Sequence, residues 1–220
     1  MIKEPLRIWD ADNEDYLTLA NYAANDDKTY TVTFVGGVRA VFSDEEFFEL
    51  GLYEKEVKLK LTYEELIHKI NIKRGYRSAV LFLRGSLKPV RDVENKLTAE
   101  GFNQKEICGI VNILCEEDYV NDTKYCMRHI KKRLEGGKTS RRLLLCELNE
   151  KGIDSDTALR CMDELGADDL AIAYEIAEKK LRAGDSAEKI KRYLAGRGFS
   201  VSTIIRALEA LQIRCEDDFV

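Results

Sequence analysis

Three segments decide the reading of this chain: Lys96-Leu97-Thr98-Ala99-Glu100-Gly101-Phe102, Glu147-Leu148-Asn149-Glu150-Lys151-Gly152-Ile153 and Tyr193-Leu194-Ala195-Gly196-Arg197-Gly198-Phe199. Each ends in glycine followed by a bulky apolar residue, and each has leucine five places before that residue. The apolar anchors Phe102, Ile153 and Phe199 are spaced by 51 and 46 residues. The pattern extends on both sides. Nine places before each anchor stand Val93, Leu144 and Ile190; nine after stand Val111, Met162 and Leu208; twelve after stand Leu114, Leu165 and Leu211. Recurrence on this scale is the mark of a repeat architecture.

The punctuation recurs with the apolar positions. Gly85, Gly136-Gly137 and Gly184 each close a first helix, because glycine enters the left-handed cap conformation at little steric cost. Cap candidates for the second helices are Ser86 with Pro89 just inside, Thr139 or Ser140, and Asp185 with Glu188. The second helix ends at the anchor glycine, and Asn103 with Glu106, Asp154, and Ser200 or Ser202 open the third. Each unit is therefore three helices of 45–50 residues, within the range of helical repeats. Such units bury little alone, so the expectation is a stack sharing a core and forming an elongated, curved array.

Residues 30–61 follow a different rule. Tyr30, Val32 and Phe34 alternate with threonines, Gly36-Gly37 intervenes, and Val38 to Phe42 resumes, which is the pattern of a hairpin. Ser43 to Glu46 has capping-box spacing and opens a short helix ended by Gly51. Val57, Leu59 and Leu61 read as a half-buried strand, and Thr62 to Glu65 is a second capping box. The first 25 residues are acidic, with a helix expected from about Asn13. The fold expected is mainly α: an acidic extension (1–28), a small α/β module (29–75), three-helix repeats at 76–122, 123–166 and 167–213, and a tail (214–220).

The 220 residues are 45% hydrophobic, enough for a core, and 34% charged, above the roughly 25% of an average globular protein. The two prolines, Pro5 and Pro89, leave long stretches free to be helical. The six cysteines, Cys108, Cys115, Cys126, Cys146, Cys161 and Cys215, form no C-x-x-C pair. With no secretory leader they are expected as reduced thiols in a cytoplasmic protein. Cys126 and His129 stand three apart, but a small apolar residue beside a surface histidine explains them better than a metal. No apolar run approaches the roughly 20 residues of a membrane span. There is no phosphate-binding glycine loop, nucleophile elbow or metal quartet, and no carboxylate pair stands out as acid and base. The expectation is a protein without catalytic residues, cofactor or metal.

The net charge of −5 conceals a pattern. Residues 73–91 carry six bases and no acid, and residues 92–122 carry eight acids against Lys96 and Lys105. Residues 123–142 then hold Lys124, Arg128, Lys131, Lys132, Arg133, Lys138, Arg141 and Arg142 against Glu135 alone. Ten acids follow in 143–178, and seven bases in 179–197. Helix C-termini account for part of this. The excess in 123–142 suggests a basic ridge for a polyanion or an acidic protein groove. With Tyr125 its only aromatic, the cluster is not a stacking platform for single-stranded bases.

The order and spacing of these motifs resemble the RecX family. The resemblance spans residues 76–211. It rests on Ala79-Val80-Leu81-Phe82-Leu83, the Lys96 to Phe102 segment, Asp118-Tyr119-Val120-Asn121-Asp122 with Tyr125, the Glu147 to Ile153 and Tyr193 to Phe199 segments, and the closing Ile205 to Leu211 helix. The N-terminal module is similar to the extension of some bacterial members. Cys126 departs from the family's usual alanine, and the first 25 residues have no family counterpart. The resemblance implies a monomeric regulator that lies along the groove of the RecA–DNA filament in recombination and SOS repair, with weak contact to DNA. Such a regulator restrains ATP hydrolysis, filament growth and strand exchange. The eight bases of 123–142 are then the contact candidates, whereas Gly101, Phe102, Tyr119, Gly152, Ile153, Gly198 and Phe199 are packing and cap residues. The competing expectation is a stand-alone nucleic-acid-binding repeat protein using its basic ridge.

Overall fold

A computed structural model of the chain describes residues 17–54, 57–136 and 139–211. They fall into two compact units, Met1–Arg77 and Ser78–Val220.

The first unit is built on an antiparallel sheet in the order β3-β2-β1-β4. Its strands are β1 (Leu17–Ala24), β2 (Thr29–Phe34), β3 (Arg39–Ser43) and β4 (Lys58–Leu59). β2 and β3 form the expected hairpin, and Gly36 and Gly37 both take positive φ, 91° and 88°. Tyr30 pairs with Phe42 and Val32 with Ala40, so Val32, Phe34 and Phe42 reach one buried face. Ser43 and Glu46 close the capping box of α1 (Asp44–Glu49), with N–H to carboxylate at 2.8 Å. Phe47 of α1 completes the core with Leu52, Leu66 and Ile70.

The helix expected from Asn13 is not what residues 17–24 form. They are β1, paired to β2 from Leu19↔Phe34 to Ala24↔Tyr30 and to β4 through Leu17↔Leu59. The alanines favour a helix locally, but two neighbouring strands satisfy the backbone here and Leu17 and Leu19 pack on the core. The part of that expectation on residues 13–16 lies outside the described residues.

Helix α2 (Tyr63–Leu83) starts at the second capping box, where Thr62 and Glu65 bond reciprocally at 2.8 and 3.2 Å. Arg74 of this helix meets the buried Glu46 carboxylate with two bonds of 2.7 and 2.6 Å and donates to the Val41 carbonyl. Burial pushes the Glu46 carboxyl up, but Arg74 and the Ser43 N–H outweigh it and hold it below its ordinary value. Lys73 and Arg77 pair with Glu49 and Glu45. Half of the first basic stretch is thus consumed inside this unit.

The second unit continues α2 with α3 (Val90–Ala99), α4 (Gln104–Glu116), α5 (Asp122–Glu135), α6 (Arg141–Glu150), α7 (Ser155–Glu164), α8 (Asp169–Arg182), α9 (Ala187–Gly196) and α10 (Val201–Ala210). The recurring heptapeptide is the C-terminal turn of α3, α6 and α9. The N–H groups of Phe102, Ile153 and Phe199 reach back to the carbonyls of Leu97, Leu148 and Leu194 at 3.2, 3.0 and 3.3 Å. The glycine N–H groups reach those of Thr98, Asn149 and Ala195. This paired bonding requires a left-handed residue between its ends and brings the apolar residue onto the leucine five places back. The spacing in the sequence is therefore the geometry of one turn, and Leu97, Leu148 and Leu194 are fully buried in all three copies.

The apolar core is divided rather than shared. Cys126, Ile130, Leu144, Leu148 and Met162 belong to a cluster of α5–α7, and Ala173, Ile190, Leu194, Phe199 and Leu208 to a separate one of α8–α10. Polar contacts join the repeats. The first N–H of α3, on Val90, donates to Asp122 at the start of α5 at 2.8 Å; the first N–H of α6, on Arg141, donates to Asp169 at the start of α8 at 2.7 Å. Arg91 lies against the last carbonyls of α6, at Asn149 and Glu150, and Ser140 donates to Arg197 O at 2.9 Å. Side chains that satisfy helix-end groups of a neighbour fix the joint.

Two cap expectations change accordingly. Pro89, not Ser86, is the N-cap of α3; its ring has no acceptor, and Asp122 of the next repeat serves the Val90 N–H instead. Ser186, not Asp185, caps α9, while Asp185 holds Lys180 and Lys189 at 3.1 and 2.5 Å. Asn103, Ser140, Asp154 and Ser200 cap as their spacing implies.

Candidate partner-binding surface

The basic cluster of 123–142 separates into two sets. Lys124 pairs with Asp118, whose carboxyl is held below its ordinary value by that ammonium and by Asn121. Arg133 binds Glu147 at 2.6 Å, and the same carboxylate accepts from His129 at 2.9 Å. The Arg133 Nε is buried without a partner. Arg141 binds Asp163 at 2.6 Å and the Ala167 carbonyl at 3.1 Å. These three cations are committed to contacts within the fold.

Arg128, Lys131 and Lys132 form the other set. They are exposed and, among the described residues, have no ion-pair partner. Spacings of three and four place them on one helix face, opposite the buried Cys126 and Ile130. Arg142 is exposed on the second turn-forming position of α6. Lys138 and Gly137 lie outside the described residues. The N-caps Asn121 and Asp168 align α5 with α8, and the positions equivalent to Arg128, Lys131 and Lys132 are then Glu175, Glu178 and Lys179. The exposed cationic stripe belongs to the middle repeat, and its charge is not repeated in α8.

The structural-motif residues are placed as follows. Ile153 and Phe199 are buried and Phe102 is half-buried. Gly101, Gly152 and Gly198 all have positive φ. Tyr119 is 46% exposed and lines a shallow groove with Val80, Leu83, Arg84, Ser86 and Leu87, so packing covers only part of its ring.

Cys126 and His129 are not brought together as ligands. His129 engages Glu147 and stacks on Tyr125, whereas burial and the neighbouring Cys161 push the Cys126 thiol up to about 12. Among the described residues no group of three or more His, Cys, Asp or Glu side chains could hold a metal ion. Nor is any described helix long and apolar enough to cross a membrane. The sequence reading missed the counter-ions Asp118, Glu147 and Asp163 and the joint residues Asp122 and Asp169. The pairs Asn121-Asp122 and Asp168-Asp169, at equivalent places in two repeats, are the unused signal from which the joint could have been found.

No family model matches the chain. The regulatory protein RecX of Caldanaerobacter subterraneus is 26% identical over 178 residues, 80% of this chain and 90% of that protein. The regulatory protein RecX of Vibrio parahaemolyticus is 30% identical over 122 residues, 53% of this chain and 78% of that protein. The crystal structure of RecX from Lactobacillus salivarius superimposes with a TM-score of 0.58 at 25% identity, covering 66% of this chain and 99% of the other. With its three-helix repeats and this degree of relatedness, the chain belongs to the RecX family of regulatory proteins.

Proposed function

We propose that this chain binds the RecA–DNA filament along its groove and restrains its ATP hydrolysis, extension and strand exchange. Membership in the RecX family carries the reading. The surface supports it, because the middle repeat presents an exposed cationic stripe and the described residues offer no converging catalytic set. The exposed stripe of Arg128, Lys131 and Lys132, with Arg142 near it in sequence, is the part of the basic cluster available to a partner. Lys124, Arg133 and Arg141 support the fold instead.

The stripe also suits naked nucleic acid, the competing reading. A protein that tracks a duplex neutralises successive phosphates, however, and α8 places Glu175 and Glu178 where α5 has Arg128 and Lys131. A single cationic station fits a composite partner better than an extended polyanion. The test compares binding to RecA-coated single-stranded DNA, to naked DNA and to free RecA, each at low and high salt. Preference for the coated filament at both salts is expected. Equal or tighter binding to naked DNA, collapsing at high salt, sinks the proposal.

A further inference from the structure

The N-terminal module displays five aromatic rings in continuous contact. Tyr30 stacks on Phe47 at 3.9 Å between centroids, and Tyr22 meets Phe47 edge-on at 4.9 Å. Phe48 then contacts Phe47 at 5.5 Å and Tyr53 at 5.6 Å. Phe47 belongs to the core, but Tyr22, Phe48 and Tyr53 are 45%, 51% and 49% exposed. Half-exposed rings clustered in this way are uncommon on a surface with no partner, and aromatic side chains concentrate in interfaces.

The surroundings are acidic. Asp26 and Asp27 occupy the turn between the strands that carry Tyr22 and Tyr30, and the Asp44 N–H is bonded to Lys28 O of that same turn. The Asp44 carboxylate lies beside the Tyr30 hydroxyl and, after desolvation, is the main cause that raises its pKa. Lys28 of the same turn offsets one of these three carboxylates, whereas Lys73, Arg74 and Arg77 are bound to Glu49, Glu46 and Glu45.

We propose that this aromatic, acid-rimmed face is a docking surface for an arginine- or lysine-bearing segment of a partner protein. Charge decides the class of occupant. A cation over a ring face beside a carboxylate gains from both, whereas phosphate or an anionic lipid surface meets Asp26, Asp27 and Asp44 with repulsion. The proposal stands on the module alone and does not depend on the RecA reading.

The test uses the full chain and a short fluorescein-labelled peptide of alternating arginine and leucine, with a glutamate–leucine peptide and a labelled single-stranded oligonucleotide as controls. Saturable binding of the arginine peptide alone is expected. Phe48→Ser with Tyr53→Ser should weaken it about tenfold, as expected when cation–ring contacts are removed. Asp44→Asn should weaken it by a smaller factor, leaving the Ser43 cap of α1 intact. If the double variant melts differently from the parent, Tyr53→Lys, which changes one exposed ring, must lose binding in its place. Unchanged affinity in these variants overturns the proposal. So does oligonucleotide binding that they abolish, which assigns the face to bases, or parental self-association that they abolish, which assigns it to a second copy.

Discussion

The repeats α5–α7 and α8–α10 agree at the turns that end α6 and α9 and differ where the surface faces solvent. Leu148 and Leu194 accept the same reverse-turn bond, Ile153 and Phe199 fold back onto them, and Gly152 and Gly198 take φ of 85° and 83°. Yet α5 displays Arg128, Lys131 and Lys132 where α8 has Glu175, Glu178 and Lys179. Positions set by helix-end geometry recur because every copy must solve the same bonding problem. Positions with no such duty are free to diverge, and a partner can be read only from them.

If the shared plan is real, equivalent truncations should cost the same in both repeats. Leu148→Ala and Leu194→Ala should each destabilise by about 3 kcal/mol, the cost of a cavity at a fully buried leucine. Their urea-melt values should agree within about 1 kcal/mol. A large inequality would show that one repeat dominates the stability of the unit.

The anchor glycines sharpen the comparison. All three take positive φ, so alanine costs about 1 kcal/mol from backbone strain alone. At Gly101 a Cβ meets open space, but at Gly152 it lies 2.8 Å from the Arg91 side chain, and at Gly198 2.7 Å from Ser140 Oγ. Gly152→Ala and Gly198→Ala should therefore lose about 1 kcal/mol more than Gly101→Ala, as overpacking costs at a close contact. Equal losses at all three would mean that the repeats do not meet there.

The joint itself is a smaller effect. Asp122→Ala and Asp169→Ala each remove one carboxylate from one helix-end N–H, a change of about 1 kcal/mol by analogy with side-chain caps. Thermal melts should show similar shifts, and a silent Asp169→Ala would remove the joint from the account.

Acid should separate the repeats last and least. Lys189 and then Lys180 hold the Asp185 carboxyl below its ordinary value. A carboxyl lowered in the folded state contributes stability that is present above the unfolded aspartate pKa and lost as pH falls through the folded one. Asp185→Asn should thus lower stability at neutral pH and match the parent in strong acid. A constant difference across the titration would contradict this.

The helical frame was legible because its signal is local. A Leu to Gly-apolar spacing is one turn of hydrogen bonding, and capping boxes such as Ser43/Glu46 and Asn103/Glu106 lie within four residues. What escaped was non-local. β1 has alanines at Ala20, Ala23 and Ala24 and becomes a strand through its partners β2 and β4. The cap of α3 comes from Asp122, 32 residues away from Val90. The basic cluster was legible as composition, but its division into committed and available cations required the positions of Glu147 and Asp163.

The most direct measurement of the central claim is DNA-dependent ATP hydrolysis by RecA, titrated with the parent chain and with the variant carrying Arg128→Glu, Lys131→Glu and Lys132→Glu. Exposed substitutions of this kind usually cost within about 0.5 kcal/mol each, so the variant should remain folded. The account predicts inhibition by the parent, and inhibition by the variant only at higher concentration, because charges at an interface rim act chiefly on association. A parent that leaves RecA hydrolysis unchanged contradicts the account.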